Sequence, residues 1–253
     1  MSGGAAPDYA LRTGAVPAAE PEERAMPATR TASPLARFDY PHSARREMLP
    51  FLPPGSQRVL DVGCNTGAFG EAVKQTRPGT EVWGIEPDAG AAERATLHLD
   101  RVMQGFFGPG LPLPESHFDA ITFNDVLEHM PDPWAALNHA APLLAPGGVV
   151  LASLPNLLHL DTIWPLVHDR DFRYEPCGVR DRTHLRFFTR TSALRMFEEC
   201  GYEVLSVQGI NEQWYTSSIR RRLAFRLFGR QLEETKWVQF AFVARPRAPR
   251  LVS

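Results

Sequence analysis

The sequence predicts an α/β protein with a Rossmann-like, doubly wound sheet of seven strands, mostly parallel with a C-terminal antiparallel strand. Short apolar runs typical of buried strands alternate with helix-like runs between about residues 58 and 155. This alternation is the pattern of βαβ units, whose strands are parallel. Two more strand-like runs lie near the end of the chain, where an antiparallel pair would complete such a sheet.

Composition fits this fold and excludes other classes of protein. A chain of 253 residues with 43% hydrophobic side chains can bury the core of one domain with an appendage. Its formal net charge of -2 lacks the basic excess typical of general nucleic-acid binders, so we expect no nucleic-acid partner. Three scattered cysteines (Cys64, Cys177 and Cys200) fit a reduced, cytoplasmic protein. No apolar run is long enough to span a bilayer, and the N-terminus has no secretory-signal pattern.

The chain divides into a main domain and two tails, with two insertions inside the domain. Residues 1–36 are rich in Ala, Pro and Gly and predict a disordered tail. The main domain is predicted over residues 37–245, followed by a short tail at 246–253. Within this domain, insertions are expected at 156–189 and 211–235.

Each element has its own signal. Apolar residues at 48–52 share one helical face, and Pro53-Pro54-Gly55 ends that helix. Further helices are predicted from residue 68, from residue 89 and over about 134–144. The strand-like runs lie at 58–63, 81–87, 118–125, 147–155, 203–209 and 237–244.

The turn after the first strand carries the clearest ligand-binding signal. Ligands of open α/β sheets bind at the carboxyl ends of the strands. A dinucleotide site needs G-x-G-x-x-G, but Asn65 and Ala68 occupy the positions of the second and third glycines. Asp61 would also repel a pyrophosphate. An adenosine ligand with a cationic end and no phosphate fits better, which disfavours a nicotinamide oxidoreductase.

Four stretches resemble the class I S-adenosylmethionine-dependent methyltransferases. They are VLDVGCNTG (59–67), EVWGIEP (81–87), FDAITFNDVLEHMPDP (118–133) and LLAPGGVVLASLPN (143–156), in the family's order and spacing. The resemblance covers about residues 38–244. The sequence is most similar to small-molecule O-methyltransferases like those of the ubiquinone pathway. It is also similar to bacterial methyltransferases of glycan and natural-product biosynthesis, which share a stretch like DRTHLRFFT (181–189).

The resemblance implies S-adenosylmethionine as the methyl donor and assigns the residues that hold it. Asp61 would hold the methionine ammonium, and Glu86 would bind the ribose diol. Asn124 would lie near the methionine moiety. Four residues of the turn would line the cofactor by their backbone: Gly63, Cys64, Asn65 and Gly67.

Two contacts with the cofactor are left open. Arg45 or Arg46 is a candidate for the methionine carboxylate, with a solvated helix face as the alternative. Many relatives carry Asp after the third strand, where it meets the adenine amino group, but this chain has Gly105-Phe106. Phe106 or Phe107 would then stack on the adenine.

Two histidines are candidate catalytic bases, because methyl transfer to a hydroxyl requires removal of its proton. His129 follows the fourth strand, and His184 lies in the insertion at 156–189. The alternatives are a structural histidine before Pro131 and a surface loop residue, respectively. Asp181 is a candidate to orient the imidazole of His184.

No metal site is predicted, although one arrangement could hold a divalent ion. Asp125, Glu128 and His129 form D-x-x-E-H, and the ubiquinone-pathway relatives have a similar acidic-His arrangement that can hold a divalent metal. The alternative is that Glu128 is a carboxylate at the start of a helix. A divalent metal is therefore not expected.

The sequence thus predicts methyl transfer to a hydroxyl of a small molecule or of a glycan or natural-product precursor. The alternatives are N-methylation of an amino sugar or other amine, and a non-catalytic cofactor-binding partner protein. Trp164, Phe172 and Tyr174 would stack on the acceptor or anchor the insertion as a lid. The stretch 217–230, with five arginines and no acid, predicts weak contact with a membrane surface or an apolar face packed on the domain.

Overall fold

The computed structural model describes residues 44–213 and 232–247, together with residues 226 and 229. The predicted tail at 1–36 lies outside these residues. So do the stretch 217–230, apart from residues 226 and 229, and most of the predicted tail at 246–253.

Seven strands form one sheet in the order β3-β2-β1-β4-β5-β7-β6. The strands are β1 (Arg58–Val62), β2 (Glu81–Glu86), β3 (Arg101–Gln104), β4 (Phe118–Asn124), β5 (Leu144–Pro155), β6 (Tyr202–Glu212) and β7 (Trp237–Pro246). The first five strands are parallel to one another, whereas β7 lies between β5 and β6 and is antiparallel to both. The predicted fold class is therefore confirmed.

The described part of the chain also contains five named α-helices and four 3₁₀ segments. The helices are α1 (Ala68–Thr76), α2 (Ala89–Ala95), α3 (Pro133–Ala140), α4 (Leu160–His168) and α5 (Arg190–Glu199). The 3₁₀ segments are Arg46–Phe51, Leu127–His129, Ala141–Leu143 and Glu233–Lys236.

Proline explains two differences from the predicted helices. The helix expected over about 134–144 ends at Ala140 and tightens into a 3₁₀ turn that contains Pro142, and β5 begins at Leu144. The first predicted helix is a 3₁₀ segment with Pro50 inside it. In both places a residue without a backbone N–H stands where an α-helix would need a donor.

The core has two hydrophobic clusters on opposite faces of the sheet. Successive residues of β1 alternate between them, since Leu60 and Val62 belong to one cluster and Val59 to the other. The first cluster includes residues of α3 and α5, and the second includes residues of α1 and the segment Arg46–Phe51. Helices on both faces leave the carboxyl ends of the parallel strands open, with the strand order reversing between β1 and β4. Within the described ranges, no helix is long and apolar enough to cross a membrane.

Candidate functional site

The turn after β1 is built tightly against β2 and the segment that follows β4. Gly63 has φ 70°, and a Cβ atom there would lie 2.7 Å from a methyl carbon of Val126. Gly67 has φ 83° and caps the N-terminus of α1. Both positions require glycine because an L side chain strains a left-handed backbone.

The amides of this turn are used within the protein. The N–H groups of Gly63 and Cys64 donate to the carbonyl oxygen of Ile85, at 2.8 and 3.1 Å. The N–H of Gly67 donates to the carbonyl of Cys64 at 2.8 Å, and that of Asn65 donates to a Glu86 carboxyl oxygen at 2.9 Å. Dinucleotide-binding loops hold pyrophosphate through such amides. Because these four N–H groups already donate to protein acceptors, we infer that the ligand carries no phosphate at this turn.

Cys64 contributes its backbone to this turn and its side chain to the core. Its thiol is buried among the second hydrophobic cluster, and burial raises its pKa. That the backbone of Cys64 lines a cofactor stays a prediction.

Glu86 ends β2 with a carboxyl group that the backbone holds in place. One oxygen accepts from the N–H of Asn65 and the other from the N–H of Asp88, both at 2.9 Å. Burial raises the pKa of Glu86, and these two hydrogen bonds oppose the shift. A carboxyl oxygen has two lone pairs, so each retains acceptor capacity for a hydroxyl pair such as a ribose diol.

Asp61 is a deeply buried acid that follows Leu60 near the end of β1 and has a hydrogen-bond partner. Its side chain is 2% exposed, and one oxygen accepts from the hydroxyl of Thr122 at 2.7 Å. Burial raises the pKa of Asp61 to about 7, against the opposing influence of Thr122 and Asn124 and with a further increase from Glu86. A cation placed beside this carboxyl group would favour its charged form.

Asn124 ends β4 with a buried side-chain amide. The amide lies close enough to Asp61 to lower the pKa of that acid, although neither of its polar atoms makes a hydrogen bond of good geometry within the described residues. Incomplete pairing of a buried amide is costly, so a ligand's polar atoms would fit at this strand end.

Arg45 bridges three strands at the same end of the sheet. Its guanidinium pairs with Asp125 and donates to the Ser153 hydroxyl and the Gln239 side-chain oxygen, at 3.1 and 3.2 Å. Its Nε lies 2.8 Å from Glu47. The pKa of Arg45 is raised because the neighbouring carboxylates outweigh the effect of burial. These bonds bind the segment Arg46–Phe51 to the ends of β4, β5 and β7.

The structure distinguishes between the residues left open as cofactor contacts. Arg46 donates to Gln75 of α1 at 3.2 Å and is exposed, while Arg45 lies at the strand ends. Phe107 packs edge-on against Phe123, with ring centroids 5.6 Å apart. Phe106 is 71% exposed. Arg45 thus lies at the strand ends and Phe106 is open to solvent, and the contacts of both residues with a cofactor stay predictions.

The predicted insertion at 156–189 is closed at its base. Asn156 and Phe188 form a parallel bridge, and the N–H of Leu157 donates to the Phe188 carbonyl at 2.8 Å. The fully buried Asn156 amide donates to the carbonyls of Glu234 and Trp237, at 2.8 and 2.9 Å. The two ends of the insertion are thus held together and fixed to the start of β7.

The returning arm of the insertion docks on the 3₁₀ segment Leu127–His129. The N–H groups of Leu185 and Arg186 donate to the backbone carbonyl of Glu128, at 2.8 and 3.0 Å. This contact places His184 beside His129, with ring centroids 4.7 Å apart in an edge-to-face arrangement. The two candidate bases, 55 positions apart in sequence, therefore belong to one cluster.

A buried acid completes this cluster. Glu128 is 0% exposed, and neither of its carboxyl oxygens has a hydrogen bond in the described part of the chain. The nearer oxygen lies 3.9 Å from Nε2 of His184. Burial raises the pKa of Glu128 well above its usual value and lowers the pKa values of His129 and His184. All three groups are therefore biased towards their neutral forms.

The D-x-x-E-H stretch does not assemble as one group. The Asp125 oxygens interact with Arg45, Ser153 and Gln239, while Glu128 and His129 lie with His184. One donor atom from each of Glu128, His129 and His184 lies within 4.8 Å of the others, a spacing that a divalent ion could bridge. The expectation of no metal stays a prediction.

The insertion's aromatic residues divide into packed and exposed groups. Phe172 packs edge-on between Tyr174 and Phe187, with both centroid distances at 5.3 Å. Trp164 stacks on His168 and is 51% exposed, and Tyr174 is 59% exposed. Phe172 thus packs within the insertion, whereas Trp164 and Tyr174 present ring surface.

A seven-stranded sheet of this order, with acids at the ends of β1 and β2, defines the architecture of a class I S-adenosylmethionine-dependent methyltransferase. A family model described as "Methyltransferase domain" matches residues 36–207, and the chain belongs to that family. The match covers more than half of the sequence.

Relatives and solved structures agree with this family. The chain is 27% identical over 172 residues to a ubiquinone biosynthesis O-methyltransferase of Vibrio cholerae, covering 65% of this chain and 68% of the relative. It is 36% identical over 164 residues to the enzyme of the same name from Psychrobacter arcticus, covering 61% and 62%. A SAM-dependent methyltransferase from Archaeoglobus fulgidus superposes with a TM-score of 0.58 at 19% identity, covering 79% of this chain and 90% of that one. The last similarity shows the fold alone.

Proposed function

We propose that this methyltransferase transfers a methyl group to a hydroxyl of a small molecule or of a glycan or natural-product precursor. The observation that carries the proposal is the pair of imidazoles, His129 and His184, beside the carboxyl end of β4. Both are biased towards the neutral form that accepts a proton. The name O-methyltransferase carried by two relatives adds support.

The residues at the ends of β1, β2 and β4 fit the donor. Asp61 would accept from the methionine ammonium, Glu86 would accept from the ribose hydroxyls, and the buried amide of Asn124 would meet the methionine moiety. The backbone of Gly63, Cys64, Asn65 and Gly67 would line the cofactor. When bound, S-adenosylmethionine supplies an activated methyl group and leaves as S-adenosylhomocysteine.

His129 is the better placed of the two candidate bases. Nδ1 of His184 lies 3.1 Å from the carbonyl of Val179, and its Nε2 faces Glu128 at 3.9 Å. His184 is thus engaged at Nδ1 and buried, while His129 is half-buried. We assign His129 as the group that takes the acceptor's proton, with His184 packed behind it.

The first experiment decides the donor. Purified protein, stripped of ligand, is titrated calorimetrically with S-adenosylhomocysteine, with NAD as the control. Micromolar binding of the first and no binding of the second supports the assignments of Asp61 and Glu86. Absence of S-adenosylhomocysteine binding would overturn them.

The second experiment decides the reaction. Methyl transfer is measured with phenols, sugar nucleotides and amino sugars as acceptors. We expect transfer to a hydroxyl, and His129→Gln should lower turnover by roughly 10²–10⁴-fold without changing cofactor affinity. His168→Gln, on the exposed end of α4, is the matched control. Transfer to amines alone, or unchanged turnover of His129→Gln, contradicts the proposal.

We also propose a cytoplasmic location. The support is that Cys64, Cys177 and Cys200 are all free thiols.

A further inference from the structure

A chain of hydrogen bonds reaches His129 from within the insertion. Asp181 is 1% exposed, and its Oδ1 accepts from both the backbone N–H and the hydroxyl of Thr183, at 2.8 and 2.7 Å. The Thr183 hydroxyl oxygen lies 3.0 Å from Nδ1 of His129, and the Thr183 carbonyl oxygen lies 3.3 Å from the same atom. Sequence reasoning paired Asp181 with His184, but these hydrogen bonds connect it to His129 through Thr183.

Donor and acceptor chemistry fixes the direction of each hydrogen bond. The hydroxyl of Thr183 has one proton, which it gives to Asp181. Towards His129 this hydroxyl can then only accept. A backbone carbonyl also only accepts, so both Thr183 oxygens require a proton on Nδ1 of His129.

We propose that Thr183, held by Asp181, is a positioning residue that fixes His129 in the Nδ1–H tautomer. The lone pair of the neutral imidazole then lies on Nε2, on the opposite side of the ring, where the acceptor's proton would be received. Without Thr183 the ring could rotate or adopt the other tautomer, which would place an N–H where a base is needed. The contribution of Thr183 to turnover rests on the proposed function, whereas the tautomer itself does not.

The neighbouring histidine gives an internal comparison. Nδ1 of His184 faces the carbonyl of Val179, which again can only accept, so His184 is also expected as the Nδ1–H tautomer. That tautomer depends on a backbone group and not on Thr183. A change at Thr183 should therefore alter His129 and leave His184 unchanged.

The tautomers are measured by nitrogen-15 NMR of the histidine side chains in the full-length protein, at a pH where both rings are neutral. We expect a protonated Nδ1 and an unprotonated Nε2 at His129 in the wild type and in Thr183→Ser. Thr183→Val keeps the backbone carbonyl at 3.3 Å but loses the closer hydroxyl contact at 3.0 Å, so a measurable fraction of His129 should convert to the Nε2–H form. Thr96→Val, which removes an exposed hydroxyl at the C-terminal end of α2, is the control for loss of a threonine. An Nε2–H signal for wild-type His129 overturns the proposal without any variant.

Turnover separates a positioning role from a structural one. Thr183→Val should lower kcat at least tenfold while the KM for the acceptor and the affinity for S-adenosylhomocysteine stay within twofold, and Thr183→Ser should restore kcat. Equal losses in Thr183→Val and Thr183→Ser, or an unchanged tautomer in Thr183→Val, contradict the proposal. If no hydroxyl acceptor is found, the proposed function fails while the tautomer experiment still decides the role of Thr183.

Discussion

Asp61 combines deep burial with a carboxyl group that ionises near neutral pH. Burial raises its pKa to about 7, and its nearest donor is the uncharged hydroxyl of Thr122. A ligand ammonium would therefore be the strongest available partner for its charged form. This makes the ionisation of Asp61 part of cofactor binding.

The affinity for S-adenosylhomocysteine should rise with pH through about 7. Below the pKa of Asp61 the ligand must displace a proton, so affinity should fall by up to about tenfold for each pH unit below 7. Calorimetric titrations between pH 5.5 and 7.5 measure this slope. Asp61→Asn should bind weakly with a flatter pH profile, and an equally steep profile in that variant would assign the effect to another group.

Glu86→Ala should weaken S-adenosylhomocysteine binding by about 1–3 kcal/mol, or roughly 5–150-fold, the usual cost of removing a buried hydrogen-bond partner. The loss has two sources, because the carboxyl group also orients the Asn65 amide of the cofactor turn. Glu93→Ala, on the exposed face of α2, is the matched control and should bind normally. Normal affinity in Glu86→Ala would remove the ribose assignment.

At the scale of elements, the insertion determines whether the histidine cluster exists. Its base is fastened by Asn156, and its returning arm bonds to the carbonyl of Glu128. The sequence predicted an insertion at 156–189 and gave both histidines as candidate bases. It did not predict that the two lie together, because no local pattern relates residues 55 positions apart. The role of Thr183 was missed for the same reason, although D-x-T at 181–183 is a side-chain-to-backbone turn pattern that could have suggested an ordered loop.

Asn156→Ala should loosen the insertion while the sheet remains folded. The substitution removes three hydrogen bonds at the base, two of which the Asn156 amide donates to the carbonyls of Glu234 and Trp237. Hydrogen exchange, followed by mass spectrometry, should accelerate at least tenfold in residues 157–187 and change little in β1 and β4. Val167→Ala, on the exposed face of α4, should leave exchange at the base unchanged. Uniform acceleration across the chain would instead indicate global destabilisation.

At the scale of the whole molecule, the buried acids make folding depend on pH. The pKa of Asp61 is about 7 in the folded protein and about 3.9 in an unfolded chain. Between these values the folded state keeps a proton that the unfolded state releases, so the free energy of unfolding falls as pH rises from about 4 to 7. Glu86 and Glu128, whose pKa values are also raised, act in the same direction.

Asp61→Asn should therefore stabilise the ligand-free protein at pH 8, by roughly 2–4 kcal/mol, and much less at pH 5. Chemical denaturation at the two pH values measures the difference. Asp119→Asn provides a control of opposite sign. The backbone N–H groups of Gln57 and Arg58 donate to the Asp119 carboxyl group and lower its pKa by more than burial raises it. This substitution should therefore destabilise the protein at pH 8. Equal stability of Asp61→Asn and the wild type at pH 8 would contradict the raised pKa.

Much of the fold followed from the sequence, because strand runs and glycine turns are local signals. The runs that became β1, β2, β4 and β5 were placed within a few residues, and Asp61 and Glu86 were found because they end strands. The strand order β5-β7-β6 could not be predicted from the apolar runs. A run indicates that a strand forms, but its neighbours in the sheet depend on which edge is still unpaired. The helix expected to reach residue 144 was too long, since Pro142 redirects the chain into β5.

The position of β7 has a consequence for synthesis on the ribosome. β7 is interior in the sheet, between β5 and β6, yet it emerges after both of them. At typical elongation rates of roughly 5–20 residues per second, β5 and β6 wait some seconds with unpaired edges until β7 emerges. A nascent chain that stalls in this interval exposes two template edges for pairing with other chains, so this protein would need protection by chaperones late in translation.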